Sequence, residues 1–258
     1  MKLVILAGGF GTRLSEETQI KPKPMIEIGD RPILWHIMKI YSSYGINDFI
    51  ICCGYKGYII KEYFKNYFLH TSDVIISTQN NVVEVIKKNS ESWKITLVDT
   101  GENTMTGGRL KKVSSYLKNE EAFCFTYGDG VGNINISNLI TFHKKHKRLA
   151  TVTAVRPQAR YGAITFGTND QVDHFEEKPK GDGSWVNGGF FVLHPDVINN
   201  IKDEQTRWEN ETLAILAKEG ELFAYKHHGF WMPMDTLRDK ILLNNLWNSG
   251  KAEWKTWK

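Results

Sequence analysis

Leu3-Val4-Ile5-Leu6-Ala7-Gly8-Gly9-Phe10-Gly11-Thr12-Arg13-Leu14 decides how this 258-residue chain is read. Five apolar residues in succession suit a strand buried on both faces, as in a parallel sheet covered by helices. The strand runs straight into a glycine-rich turn. Glycine lets backbone come close to a phosphate and leaves N–H groups free to donate, and Arg13 adds a fixed positive charge. The residues after the turn exclude two common phosphate loops. A dinucleotide fingerprint needs glycine where Leu14 stands and an acidic strand end about 20 residues on. A Walker A loop needs lysine and then serine or threonine after its last glycine, but Gly11 is followed by Thr12 and Arg13.

Outward from this stretch, residues 48–53 and 122–127 are further apolar runs, each ending in glycine, and read as buried strands. Residues 33–41 lie between Pro32 and Gly45, a helix with a proline start and a glycine stop. Residues 73–77, 82–87 and 94–99 read as short strands of an antiparallel excursion. Strand signals return at 151–155, 163–166, 171–176 and 189–193, with helical stretches near 196–202 and 211–218. The expected fold is α/β: a Rossmann-like mixed, mostly parallel sheet flanked by helices, with antiparallel excursions, in a single unit spanning 1–258.

Apolar residues at 41% and charged residues at 24% match ordinary globular usage, so a sizeable core is available. The net charge of +4, from 33 basic and 29 acidic residues, is too small to mark a nucleic-acid surface. The basic run of Lys144, Lys145, Lys147 and Arg148, with His143 and His146, reads as a solvated face. Cys52, Cys53 and Cys124 lack metal-ligand spacing and read as buried thiols of a reducing compartment. The first apolar stretch is too short for a signal-peptide core, and no apolar run nears the roughly 18 residues that span a bilayer. A cytoplasmic protein, engaging neither membrane nor nucleic acid, is expected.

Chemistry gathers at three further places. In Lys21-Pro22-Lys23-Pro24 two prolines stiffen a segment carrying two ammonium groups. Tyr127-Gly128-Asp129-Gly130 ends a buried strand, where ligands of open α/β sheets collect, although an Asp-Gly turn reads similarly. Asp235 precedes a predicted helix and is either a second acidic ligand or its N-cap. Magnesium takes one or two carboxylates, waters and substrate phosphates, so two aspartates suffice for it. None of the eight histidines has an acid-base or nucleophile partner in the sequence.

Gly-Gly-Phe-Gly-Thr-Arg-Leu at 8–14, followed by Lys-Pro-Lys-Pro at 21–24, resembles the sugar nucleotidyltransferase family. The resemblance implies the nucleotide-diphospho-sugar transferase type of fold. It also implies nucleotide contacts for Leu6, Ala7, Gly8, Gly9, Phe10, Gly11, Thr12, Arg13 and Lys23, with Thr104 and Arg109 in an element near base and ribose and Gly128 among the substrate-binding residues. Arg109 stands where many relatives carry a small residue; it is expected to bind substrate, the alternative being a surface arginine at a helix start. Asp129 and Asp235 match the family's metal ligands and imply Mg2+. Glu177 and Lys178, in a Glu-Lys-Pro element, match contacts to sugar hydroxyls and sugar phosphate, and Gly162, Asn187 and Gly188 match other positions at the sugar. Arg13, Lys23, Asp129, Lys178 and Asp235 are thereby implied as the catalytic set, with residues 1–130 serving the nucleotide and 131–258 the sugar phosphate.

Within the family, the Cys-Cys-Gly-Tyr-Lys-Gly-Tyr segment at 52–58, residues 104–110 and 126–130, and the tryptophan-bearing end resemble the cytidylyltransferases acting on glucose 1-phosphate. CTP and glucose 1-phosphate are the implied substrates, CDP-glucose and pyrophosphate the products, and polysaccharide (O-antigen) biosynthesis the setting. A transferase using UTP, dTTP or GTP, or a non-catalytic nucleotide-sensing subunit, is the alternative. The resemblance also implies a homo-oligomer, with a hexamer as one form. Trp247, Trp254 and Trp257 are expected to dock on the body or on a neighbouring subunit.

Overall fold

The computed structural model describes residues 1–87, 90–157, 163–166, 168, 171–176 and 184–257. Seven strands make the central sheet: β1 (Leu3–Ala7), β2 (Asp48–Cys53), β3 (Lys94–Asp99), β4 (Phe123–Tyr127), β5 (Ala150–Val155), β6 (Val186–Leu193) and β7 (Leu222–His227). Their spatial order is β7-β5-β6-β4-β1-β2-β3, with β6 antiparallel to both neighbours and the other pairings parallel.

β1 sits inside this sheet with every residue buried, which explains its unbroken apolar run. Leu3, Ile5 and Ala7 face a core built with the helix Ile33–Ser42, while Val4 and Leu6 face a second core containing Leu110, Val113 and Trp208. The helix follows Pro32 as expected, and Gly45, at φ 82°, turns the chain out of it.

One expectation is corrected by the register. Residues 94–99 belong to no antiparallel excursion: β3 lies parallel to β2, pairing Asp48 with Lys94 through Cys53 with Asp99. An edge strand is half exposed, so its composition alternates as an antiparallel strand's would. The excursion proper is the hairpin Asp73–Ser77/Val82–Lys87, and Ala163–Phe166 pairs with Val172–Glu176 as a second hairpin.

The basic run also departs from a uniformly solvated face. It ends the helix Ile136–His146, whose inner side brings His143 to 5% exposure, its Nδ1 2.9 Å from Thr151 Oγ1, while His146 Nε2 approaches the same hydroxyl at 2.7 Å. Burial, then neighbouring His146, lowers the His143 pKa to about 4. The three thiols are free and buried, and burial raises Cys53 to about 11 and Cys124 to about 12. Among the described residues no helix is long and apolar enough to cross a membrane.

The C-terminal tryptophans dock on the body. Trp254 is fully buried, and Trp247 meets the His36 ring edge-on at 4.6 Å. Gly29, at φ 62°, leaves room for the Trp247 indole, which a Cβ there would strike. The helix Leu237–Asn248 is thereby laid against the start of the chain, and Gly29 N–H donates to Asn244 Oδ1 at 2.9 Å.

Candidate active site

The carboxyl ends of β1 and β4 open onto a cavity of about 490 Å3. Leu6, Ala7, Gly8, Gly9, Phe10, Gly11, Thr12, Lys23, Thr104, Arg109, Gly128 and Asp129 all line it, which brings together segments more than a hundred residues apart; Asp235, Asn187 and Gly188 are not among its lining residues. Gly11 needs its positive φ of 65°, and a Cβ on Gly128 would come 2.6 Å from Leu6 O where β4 crosses the end of β1. Phe10 is 45% exposed at the rim, its ring 5.3 Å from that of Tyr55. The backbone of Arg13 lies in the short turn Thr12–Leu14; its side chain, and residues Gly162, Glu177 and Lys178, lie outside the described residues.

Two pairings bring the acidic residues together. Gly130–Gly132 runs antiparallel to Trp231–Pro233, and Met234 N–H donates to Asp129 O at 2.8 Å, so Asp129 and Asp235 leave this ladder side by side. Thr236, not Asp235, caps the helix Leu237–Asn248, in a reciprocal box with Asp239, which removes the N-cap reading of Asp235. Lys23 is held between Pro22 and Pro24 in the turn Lys23–Met25 and is 7% exposed. Its Nζ donates to Asp129 Oδ2 at 2.7 Å and to Asp235 Oδ1 at 2.6 Å. Burial alone would lower the Lys23 pKa, but the two carboxylates outweigh it and raise the value above 10.5. The ammonium marks a point where both carboxylates converge on one positive charge. Among the described residues no cluster of three or more potential metal ligands occurs, so a cation here would draw its other donors from water and substrate.

Arg109 lines the cavity but is no surface arginine. It is 4% exposed, and both terminal nitrogens of its guanidinium bond to the chain. Nη1 donates to Gly101 O and Thr100 Oγ1, each at 2.7 Å, and to Cys53 O at 3.3 Å. Nη2 donates to Gly8 O and Glu102 O, each at 3.0 Å. The side chain ties the glycine-rich turn, the end of β2 and the 100–102 loop together, and a Cβ on Gly8 or Gly54 would collide with it.

Asn187 and Gly188 lie on β6, and among the described residues Asn187 reaches the cavity wall only through Tyr127. Asn187 Nδ2 donates to Tyr127 OH at 3.2 Å, and Trp231 Nε1 donates to Gly188 O at 2.7 Å. Tyr127, Thr106 and Gln205 also line the cavity, and Glu209 bonds to two of them. Sequence reasoning missed these residues. Tyr127 adjoins the Gly-Asp pair and carried that signal; Glu209 carried none.

The model of the family described as nucleotidyl transferase matches residues 2–239. The chain belongs to that family. As a nucleotidyl transferase it is 62% identical over 257 residues to the glucose-1-phosphate cytidylyltransferases of Salmonella typhimurium and Salmonella typhi, with the full length of both chains covered in each comparison. Its fold resembles the crystal structure of a UDP-glucose pyrophosphorylase complexed with UDP-glucose, at a TM-score of 0.68 and 18% identity, over 96% of this chain and 98% of that one. The mixed α/β sheet is thus that of the nucleotide-diphospho-sugar transferases.

Proposed function

We propose that this nucleotidyltransferase moves the cytidylyl group of CTP to glucose 1-phosphate, giving CDP-glucose and pyrophosphate. The observation that carries the reading is that Lys23 and Asp129 line the glycine-rich cavity, with Asp235 bonded to the same ammonium. Full-length identity to cytidylyltransferases supports this choice of base and sugar over UTP, dTTP or GTP.

A phosphate oxygen of glucose 1-phosphate attacks the α-phosphorus of CTP. A new P–O bond forms as the bond to the β-phosphate oxygen breaks, and pyrophosphate leaves in line with both electrons. No covalent enzyme intermediate is needed. The glycine turn and Arg13 hold the triphosphate and Lys23 meets its charge, while Lys178, Glu177, Gly162, Asn187 and Gly188 receive the sugar phosphate. Aligning two anions whose repulsion is offset is what such a site contributes. Asp129 and Asp235 would hold Mg2+, which when bound offsets phosphate charge as a Lewis acid.

Residues 1–130 serve the nucleotide in this reading and 131–258 the sugar phosphate, within one unit. The protein acts as a homo-oligomer, a view supported by the exposed apolar side chains of Ile75, Ile76, Val82, Val83 and Ile86 on the hairpin that stands off the sheet. Pyrophosphate release from glucose 1-phosphate with CTP, UTP, dTTP and GTP in parallel tests the reading. CTP should dominate, and preference for another nucleotide overturns the cytidylyl assignment.

A further inference from the structure

One carboxylate ties the nucleotide side of the cavity to the sugar side. Glu209 accepts from Tyr127 OH through Oε1 and from Thr106 Oγ1 through Oε2, both at 2.7 Å. An ionised carboxylate only accepts, so both hydroxyls must spend their single hydrogen on it. Their lone pairs then face the other way, and the polarity of everything beyond them is settled.

On the sugar side, Tyr127 oxygen is left to accept, which turns the amide of Asn187 with its nitrogen toward the phenol at 3.2 Å. Its carbonyl oxygen faces the other way, where Gly189 N–H donates to it at 2.8 Å. An amide nitrogen carries two hydrogens, so one remains to donate to a sugar oxygen. On the nucleotide side, Thr106 oxygen accepts Trp208 N–H at 2.9 Å. Two backbone bonds complete this junction, Met105 N–H to Glu204 O at 2.9 Å and Gly107 N–H to Thr206 O at 3.0 Å. That fixes the 104–106 wall of the cavity.

We infer that Glu209 is a positioning residue for the transfer: through Tyr127 it orients the Asn187 amide toward the sugar, and through Thr106 it sets the wall against which the nucleotide lies. The inference rests on the proposed reaction, because it takes the cavity as the CTP site and β6 as the sugar side. The two arms are separable. Tyr127→Phe cuts the sugar arm and leaves Thr106 on the carboxylate; Thr106→Val cuts the nucleotide arm and leaves Tyr127.

The test is steady-state pyrophosphate release with each substrate varied in turn, alongside melting temperatures of the purified variants. Tyr127→Phe should raise KM for glucose 1-phosphate up to about tenfold, the upper worth of one neutral hydrogen bond, with KM for CTP changed less than about twofold. Thr106→Val should show the opposite split. Glu209→Ala leaves both hydroxyls without their acceptor, so it should raise both KM values, and adding Tyr127→Phe to it should cost less than the two single effects combined. A purely structural role would lower the melting temperature or kcat with no split between substrates, and equal or absent KM changes in Tyr127→Phe overturn the inference. Absence of wild-type turnover with this substrate pair overturns the proposed reaction as well, whereas wild-type turnover without the split overturns the positioning alone.

Discussion

Replacing Lys23 by methionine keeps an unbranched side chain in the turn and removes the charge between Asp129 and Asp235. The ammonium is 2.7 Å from one carboxylate and 2.6 Å from the other. Removing one partner of a fully buried ion pair costs about 3–5 kcal/mol. Here the Asp129 side chain keeps 30% and that of Asp235 15% of its exposure, so water screens part of the loss and about 2–4 kcal/mol is expected. For a chain of this size each kcal/mol moves Tm by roughly 2–4 °C, giving a fall of about 5–15 °C in EDTA. A divalent cation should restore much of it, since two carboxylates left without the ammonium bind a metal that wild-type Lys23 opposes. Scanning fluorimetry with EDTA or Mn2+ reads the first effect. Titration of Mn2+ into nucleotide-free protein reads the second, with tighter binding expected in Lys23→Met. An unchanged Tm in EDTA together with unchanged Mn2+ affinity would refute the reasoning. The sign against pH is also set. Because the Lys23 pKa is raised in the fold, its stabilisation is complete below the ordinary 10.5 and is lost as pH climbs through the folded value.

Asp129→Asn should abolish nearly all turnover, and near-normal pyrophosphate release at saturating Mg2+ would remove Asp129 from the metal site. Arg109→Ala leaves Gly101 O and Glu102 O without the guanidinium donor, while Gly8 O and Cys53 O keep the N–H groups of Tyr55 and Thr100, so urea melts should show about 1–3 kcal/mol lost and kcat/KM should fall for both substrates; unchanged stability would show that the clamp holds nothing. His36 and His143 both have pKa values lowered to about 4, chiefly by burial, so their neutral forms favour the fold above about pH 6.5 and stability should decline between 6.5 and 4. His143→Gln should flatten that decline in urea melts, and an identical pH profile would assign it elsewhere.

Local patterns were legible because they are local. The apolar run of β1 states its burial on both faces, and the glycines after it state a close backbone approach. The partner of a strand is not local, which is why 94–99 looked antiparallel: its half-exposed composition reflects an edge, not a direction. The chain contacts of Arg109 were hidden for a related reason. Sequence shows a guanidinium beside two glycines, but its acceptors at Gly8 and Cys53 lie 101 and 56 positions away. Asp235 was found through a motif, while the ladder that delivers it, Trp231–Pro233 against Gly130–Gly132, left no mark beyond a short apolar run. Glu209, 82 positions from Tyr127, had nothing beside it to suggest a role.

The ladder from Trp231 to Pro233 also bears on how the protein acquires its activity. Lys23 and Asp235 are 212 positions apart, so their contact waits for one of the longest loops this chain can close. During synthesis the sheet strands through β6 can pair while the ribosome still holds the last stretch, yet the acidic pair does not exist until that stretch has folded back. A nascent chain can therefore be largely structured and still inert, and onset of turnover in a coupled translation reaction would report the last docking event, not the formation of the sheet.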